Sequence, residues 1–146
     1  MRKLEVRKHV TTPNAIRKIV AEEILREFHG PEMVIGEWRD GERELIIPVN
    51  TSGSPIILGS NIKAKILQRY DGKVVRNSMQ LCGLNILNIE SSWHIENDTT
   101  LIARADITVK VPPPLNWIAE RFVERRARSQ ILHFLNIARD HTDDGE

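Results

Sequence analysis

Residues 112–140 read PPPLNWIAERFVERRARSQILHFLNIARD, and this segment indicates how the whole chain is built. Proline lacks the amide donor of a sheet ladder, so the run 112–114 ends the preceding strand, whereas proline is tolerated in the first turn of a helix. Apolar side chains then recur at the spacing of one helix face: Ala119, Phe122, Val123, Ala127, Ile131, Phe134, Leu135 and Ala138. The pattern predicts one helix of more than six turns, about 37 Å long at 1.5 Å per residue.

Length and composition bound the rest of the interpretation. A chain of 146 residues is most simply one domain, and it can bury about 68–70% of its unfolded surface. We expect that domain to span residues 1–140, followed by a polar tail over 141–146. The net charge of +1 favours no nucleic-acid partner, and no window approaches the roughly 18 apolar residues of a membrane span. The single cysteine, Cys82, excludes an internal disulfide and a cysteine zinc site, and we expect a buried thiol in a cytoplasmic protein.

The first thirty residues predict one strand and one helix. Apolar and polar residues alternate over 3–11, which indicates a strand. Thr12 followed by Pro13 is typical of a helix start, and the run His29-Gly30-Pro31 ends the apolar helical face between them.

Everything between that helix and the prolines is typical of strands joined in hairpins. The pairs Asp40-Gly41 and Asp71-Gly72 tolerate the positive φ of tight turns and separate alternating segments. Residues 97–100 separate a third pair of strands, over 84–96 and 101–111. Matching apolar to apolar positions in that pair predicts a register with Trp93 opposite Ala105.

The resulting order is strand, helix, six strands and a long helix, which predicts an α+β fold. A curved, seven-stranded antiparallel sheet would wrap around the C-terminal helix, with the first helix at one end. This order resembles the helix-grip fold of the START-like superfamily, which includes lipid-transfer domains, polyketide cyclases, plant hormone receptors and birch-pollen-type allergens. The resemblance covers the whole chain and rests on the order of elements, with residues 112–114 as its most specific local part. It implies a cavity for a small apolar molecule between the sheet and the long helix.

Strand alternation places several polar side chains on the inward face among aliphatic neighbours. This mixture is typical of a small-molecule pocket, although such groups also bond to backbone or ordered water. Alanines at 103, 105 and 127 leave space, and the apolar segment 56–58 is expected near the mouth. The predicted ligand-binding residues are Ile66, Gln68, Tyr70, Asn77, Met79, Trp93, Ala105, Phe122 and Arg126.

The sequence carries no motif for a metal, a nucleotide or a nucleophile. The five histidines are dispersed, and neither a Gly-x-Ser-x-Gly elbow nor a glycine-rich phosphate loop occurs. Arginines 121, 125, 126 and 128 form a basic band on the long helix. Because Glu120 and Glu124 stand among them at helical spacing, we interpret the band as an ion-paired, solvated face.

We therefore predict a non-catalytic protein that binds or transports a small hydrophobic or amphipathic ligand without a cofactor. One alternative is a cyclase or dehydratase acting on such a ligand, with Tyr70 or His133 as proton donor. Another is an interaction module without a ligand, which docks a partner through residues 56–58 or through the arginine band. The sequence leaves the oligomeric state open, including a homodimer.

Overall fold

The computed structural model describes residues 1–10, 15–50, 54–55 and 61–140. The predicted helix start at 12–13, the apolar segment 56–58 and the tail 141–146 lie outside these residues. Among the described residues, no helix is both long and apolar enough to cross a membrane. The elements in chain order are β1 (Arg2–His9), α1 (Ala15–Ile19), α2 (Glu22–His29), β2 (Val34–Ile35), β3 (Glu42–Pro48), β4 (Lys63–Tyr70), β5 (Val74–Leu81), β6 (Leu84–Glu96), β7 (Thr100–Val109) and α3 (Leu115–Asp140).

The strands form one antiparallel sheet in the order β1-β7-β6-β5-β4-β3-β2. Neighbours along the chain pair as hairpins, and β1 returns to the edge of the sheet beside β7, with Leu4 opposite Ala105. The helix α3 packs against β7 and β1 and also contacts α2. The predicted α+β architecture, a seven-stranded antiparallel sheet around a long C-terminal helix, is confirmed.

The core lies between the inner face of the sheet and α3. Aromatic rings join its layers: the Phe134 ring on α3 lies 5.8 Å from the Trp93 ring on β6 and 5.2 Å from the Phe28 ring on α2. Buried side chains of the core include Leu4, Val6, Leu45, Ile47, Ile66, Val75, Leu101, Ala103, Leu135 and Ala138. The sheet therefore supplies alternate residues of nearly every strand, and α3 supplies the opposite wall.

The first helical region is two helices, not the single helix that its apolar face predicts. Between α1 and α2 the amides of Val20 and Ala21 bond to carbonyl oxygens three residues back, at 3.3 Å each. Ala21 has extended backbone angles and gives α2 no side-chain cap. The carbonyl oxygen of Val20 instead accepts a hydrogen bond of 2.6 Å from Nη2 of Arg43 on β3.

The strand predicted before the Asp40-Gly41 turn is much shorter than expected. Only Val34 and Ile35 form β2, which pairs with the middle of β3. Gly36 then bonds to the Glu44 carbonyl, and a Cβ at this glycine would lie 2.9 Å from that oxygen. A turn with positive φ at Asp40 and Gly41 closes the connection, as the sequence predicts.

The predicted register of β6 and β7 is wrong by two residues. Trp93 lies opposite Ala103 and Ile95 opposite Leu101, so each inner residue still faces an inner residue. The error comes from the turn, because Asn97 and Asp98 both adopt positive φ and shorten the connection to three residues between Glu96 and Thr100. A slip of two residues preserves the faces of the sheet and changes only which pairs touch.

Cys82 is exposed, which corrects the expectation of a buried thiol. It stands with Gly83 in the turn that joins β5 to β6, where Leu81 and Leu84 are opposite each other. Gly83 has φ +76°, as the second residue of such a turn requires. The sequence Cys82-Gly83 is therefore explained by the turn and not by burial of the thiol.

The charges of α3 are distributed differently from the predicted ion-paired band. Glu120 is buried, accepts a hydrogen bond of 3.1 Å from the Val109 amide and lies 3.3 Å from the Met1 amino group. Glu124 pairs with Arg2 of β1. Both carboxylates thus fasten α3 to the edge of the sheet, because they point to β1 and β7 and away from the helix's own arginines.

Candidate functional site

A row of polar side chains crosses the inner face of the sheet. Cross-strand neighbours in this row are Arg43 and Gln68, Gln68 and Asn77, and Asn77 and Ser91. Ala105 of β7 follows Ser91 in the same row. Because one position in each of four adjacent strands is polar, these groups form a continuous strip in an otherwise apolar wall. We call Arg43, Gln68, Asn77 and Ser91 the polar row.

Arg43 fixes the first part of the row. Its side chain is 5% exposed, and Nε donates a hydrogen bond of 2.8 Å to Oε1 of Gln68. Its guanidinium also lies 4.3 Å from the centre of the Trp38 ring, a cation–π contact. Burial lowers the pKa of Arg43 and the Glu22 carboxylate opposes this, and arginine remains charged near neutral pH.

The orientation of the Gln68 amide follows from this contact. A guanidinium has only donors, so Gln68 must present its carbonyl oxygen to Arg43. The NH₂ group of this amide, in a residue that is 2% exposed, is then the end of the side chain that Arg43 does not bind. The polar row therefore has a hydrogen-bond donor at Gln68, next to the side chain of Asn77.

Asn77 presents an unpaired acceptor. Among the described residues, its Oδ1 atom is buried and has no hydrogen-bond partner. Native proteins pair most buried polar atoms, and leaving one unpaired costs on the order of 1–3 kcal/mol. An amide oxygen in this position can accept a hydrogen bond from a hydroxyl or amine that enters the space in front of it.

Asn77 lines a cavity of about 160 Å³ between the sheet and α3, here called the Trp93 cavity. Its polar wall is Gln68, Asn77 and Ser91, and the remaining lining is mainly apolar. The lining includes Ile19, Leu25, Phe28, Leu45, Ile66, Ile89, Trp93, Ala103, Ala105, Ala127, Ile131 and Phe134. An apolar cavity of about 150 Å³ is large enough to hold one benzene ring.

A second cavity of about 160 Å³ adjoins the first along α3, and we call it the Phe122 cavity. It is lined by residues of β3, β5, β6 and α3 that include Ile47, Met79, Leu81, Leu87, Phe122, Val123 and Arg126. The two cavities share four lining residues, His29, Ile89, Ala127 and Gln130. Together they reach the roughly 300 Å³ at which pockets for drug-sized molecules begin.

The structure brings together eight of the nine residues predicted to bind a ligand. Five line the Trp93 cavity: Ile66, Gln68, Asn77, Trp93 and Ala105. Three line the Phe122 cavity: Met79, Phe122 and Arg126. Nη1 of Arg126 already donates a hydrogen bond to the Asn50 carbonyl, and its guanidinium lies 5.0 Å from the Phe122 ring. Their role toward a ligand remains a prediction.

Tyr70, the ninth residue, lies away from both cavities. It lines a shallow depression at the β4–β5 turn, and its ring centre is 6.4 Å from that of Trp38. His133, the other proton donor of the enzyme hypothesis, is exposed on α3 and lines neither cavity, with its ring 5.6 Å from Phe28. The two side chains named for acid–base chemistry are therefore not placed to act on a molecule in these cavities.

His29 is the titratable group that the sequence did not assign to the site. It ends α2 and lines both cavities. Burial lowers the pKa of His29 to about 4, so the imidazole is neutral at pH 7 and can both donate and accept a hydrogen bond. Periodicity assigns His29 only to the end of a helix and gives no indication that it faces the sheet.

Arg43 and Gln130 were also missed, and each left a signal in the sequence. Arg43 alternates with Leu45 and Ile47 on β3, which identifies it as an inward position. Gln130 follows Ala127 by three residues on α3, so the two lie on the same side of the helix. Both signals were readable from spacing alone.

A larger depression of about 810 Å³ lies on the outer face of the sheet. Charged side chains surround it, and several are paired, as Arg104 with Glu5 at 2.8 Å and Lys3 with Asp106 at 3.4 Å. Its volume exceeds that of either inner cavity, but exposed, charged side chains line it, so it does not suit an apolar ligand. Across the described residues, no three His, Cys, Asp or Glu side chains cluster as a metal site.

Comparison with known proteins identifies the architecture. No protein-family model and no curated protein matches the sequence. The aromatase/cyclase ZhuI from Streptomyces sp. R1128 superposes with a TM-score of 0.71 over 99% of both chains, at 14% identity. The di-domain ARO/CYC StfQ of the steffimycin biosynthetic pathway gives a TM-score of 0.74 at 13% identity, covering 97% of this chain and 51% of that one. A protein from Thermus thermophilus gives 0.69 at 9% identity, covering 97% and 99%. The chain therefore has the helix-grip fold of START-like proteins.

Proposed function

We propose that this protein binds a small, mostly apolar molecule in the two adjoining cavities and that a hydroxyl or similar group of the ligand bonds to the polar row. The unpaired, buried Oδ1 of Asn77 is the observation that supports this most directly. Apolar burial, at about 25 cal/mol per Å² before association costs, drives uptake. The donor of Gln68 and the acceptor of Asn77 then orient the polar end.

The identity of the polar group follows from the two amides. A hydroxyl is both donor and acceptor, so it can give its proton to Asn77 and accept from Gln68. A ketone or ether has no proton to give and leaves Oδ1 of Asn77 unpaired. We therefore expect phenols or alcohols to bind more tightly than hydrocarbons of the same shape.

The tryptophans provide a direct binding assay. Trp93 is 8% exposed and lines the cavity, whereas Trp38 and Trp117 are 41% and 62% exposed. Replacing the two exposed residues by phenylalanine leaves Trp93 as the only tryptophan. Energy transfer from Trp93 to N-phenyl-1-naphthylamine should then saturate, and 2-naphthol should displace the probe better than naphthalene.

Two helix variants separate cavity binding from nonspecific adsorption. Ala127→Leu adds bulk to a wall shared by both cavities, and we expect it to weaken probe binding about tenfold or more, since it removes buried contact area. Ser129→Leu adds the same side chain at an exposed position of the same helix and should leave binding unchanged. Equal effects of both variants, or no saturable binding by the folded protein, would contradict the proposal.

Asn77→Leu tests the role of the polar row. If Oδ1 receives a ligand hydroxyl, the preference for 2-naphthol over naphthalene should disappear while naphthalene binding stays within about twofold of wild type. If the amide serves only to hold a water molecule, the preference will be unchanged.

A second candidate is an enzyme that removes a proton next to a carbonyl in such a ligand. His29 supports it, because it is a half-buried base that is neutral at pH 7 and lines both cavities. The test is exchange of the α-protons of 1-tetralone into deuterated water, followed by NMR with wild type and His29→Gln. Exchange that the wild type accelerates and the variant does not would favour the enzyme. If 1-tetralone binds but the wild type does not accelerate its exchange, the enzyme candidate is rejected and the binding function stands.

A further inference from the structure

We propose that the N-terminal end of α3 docks this protein onto an anionic lipid surface. Three large apolar side chains in its first turn face solvent: Leu115 is 37% exposed, Trp117 62% and Ile118 55%. We call these three the Trp117 patch. Clustered apolar side chains left in water usually mark a contact surface, and tryptophan is favoured at membrane interfaces.

Cations flank the Trp117 patch along the chain. Arg121 and Arg125 are exposed one and two turns further along the helix, at i+3 and i+7 from Ile118. Within the described part of the chain, neither arginine has an ion-pair partner. The ammonium group of Lys110, just before the prolines, donates a hydrogen bond of 3.1 Å to the neutral Asn85 side chain and has no carboxylate partner among the described residues.

The carboxylates that would neutralise this cationic surface are engaged elsewhere. Glu120 accepts from the Val109 amide and Glu124 pairs with Arg2, so both serve the junction of α3 with the sheet. The exposed side of the helix therefore combines apolar side chains with uncompensated positive charge. The positive charge attracts this side of the protein to anionic lipid headgroups, and the apolar side chains can then insert at the boundary between headgroups and acyl chains.

A second copy of the chain fits this surface less well. In a two-fold dimer the same patch meets itself, so Arg121 and Arg125 of one copy would approach the same arginines of the other. Like charges facing each other across an interface are costly, and Glu120 and Glu124 are already held by the sheet. A bilayer with anionic headgroups supplies the missing negative charge.

The docking surface is tested by sedimentation with lipid vesicles. We expect wild type to bind phosphatidylcholine vesicles containing about 30 mol% phosphatidylserine and to leave pure phosphatidylcholine vesicles largely unbound. Brominated lipid should quench the fluorescence of Trp117 but not that of Trp93, which lies in the core. Binding should weaken with added salt, because salt screens the headgroup charge.

Paired variants separate the surface from general charge. Arg121→Glu/Arg125→Glu should weaken binding by more than about 25-fold, since losing each basic residue costs roughly fivefold and the new carboxylates are repelled by the headgroups. Arg17→Glu/Arg76→Glu makes the same change in net charge at exposed sites on α1 and β5, and it should change binding less than twofold.

A second set of variants tests how much the apolar side chains contribute to vesicle binding. Trp117→Ser/Ile118→Ser should weaken binding about tenfold or more, because two inserting side chains are lost. Leu132→Ser, at a side chain 42% exposed on the same helix, is the control and should have no effect. The proposal is overturned if wild type does not bind anionic vesicles, if control and patch variants lose binding equally, or if sedimentation velocity shows a dimer that the patch variants dissociate.

Discussion

Replacing Arg43 by methionine tests the physical basis of the polar row. The substitution keeps an unbranched side chain of similar length and removes all donors. It leaves two acceptors, the buried Oε1 of Gln68 and the half-buried Val20 carbonyl, without the hydrogen bonds of 2.8 and 2.6 Å that they have now. It also removes the contact with the Trp38 ring.

The size of the effect is a difference between opposing contributions. Each unpaired buried acceptor costs about 1–3 kcal/mol, and the lost cation–π contact adds about 0.5–1 kcal/mol. Removing a buried charge gives part of this back, since burying an ion is itself costly. We expect Arg43→Met to lower the free energy of unfolding by about 2–4 kcal/mol.

A double-mutant cycle with Gln68→Met isolates the side-chain contact. If Arg43 and Gln68 stabilise each other through the 2.8 Å bond, urea unfolding should give a coupling energy of about 2 kcal/mol. The control is the neighbouring pair Glu42 and Arg69 on the same two strands, which are also 2.8 Å apart but about half exposed. That pair should couple by less than about 1 kcal/mol. Similar coupling in both pairs would refute the argument that burial makes the Arg43 contact strong.

Three further predictions concern stability. Leu135→Asp should lower the free energy of unfolding in urea by several kcal/mol, because it puts an unpaired charge into the core. Arg128→Ala, at an exposed position of the same helix, should lower it by less than about 0.5 kcal/mol. Equal losses would mean that the buried face of α3 is misassigned. Asn77→Leu should raise the free energy of unfolding by about 1 kcal/mol, since it removes an unpaired buried acceptor, and a loss would mean that Oδ1 is already well paired. Burial lowers the pKa of His29 to about 4 from an unfolded value near 6.5. Its neutral imidazole therefore contributes up to about 3 kcal/mol to the free energy of unfolding above pH 6.5, and this contribution is lost as the pH falls toward 4. Unfolding at pH 7 and pH 4.5 should show a smaller acid loss for His29→Gln than for wild type, with His133→Gln behaving like wild type.

The features that the sequence predicted well depend on local spacing. The turn Asp71-Gly72 and the alternation of the segments beside it predict the β4–β5 hairpin, in which Gln68 lies opposite Asn77. The prolines at 112–114 and the apolar stripe after them define α3 for the same reason. Both signals operate within a few residues, where periodicity decides which face is buried.

The features that the sequence did not predict depend on contacts between distant segments or on turn geometry. The β6–β7 register needs the positive φ of Asn97 and Asp98, which the residue types allow but do not require. The inward position of His29 depends on how α2 packs against α3. The partners of Glu120 and Glu124 lie in β7 and β1, and helical spacing suggested arginines instead.

The break between α1 and α2 shows how such a distant contact overrides local preference and shapes the cavity. The residues at the break, Val20 and Ala21, are followed by two glutamates, and α2 has no side-chain cap, so nothing local accounts for the interruption. A continuous helix would bond the Val20 carbonyl to the amide of Ile24 and take from Arg43 one of its two acceptors. A buried guanidinium that lost this acceptor would be poorly solvated, which is expensive. The interruption therefore supplies Arg43 with a partner, Arg43 in turn orients Gln68, and through this chain of contacts the helix break contributes to the polar wall of the Trp93 cavity.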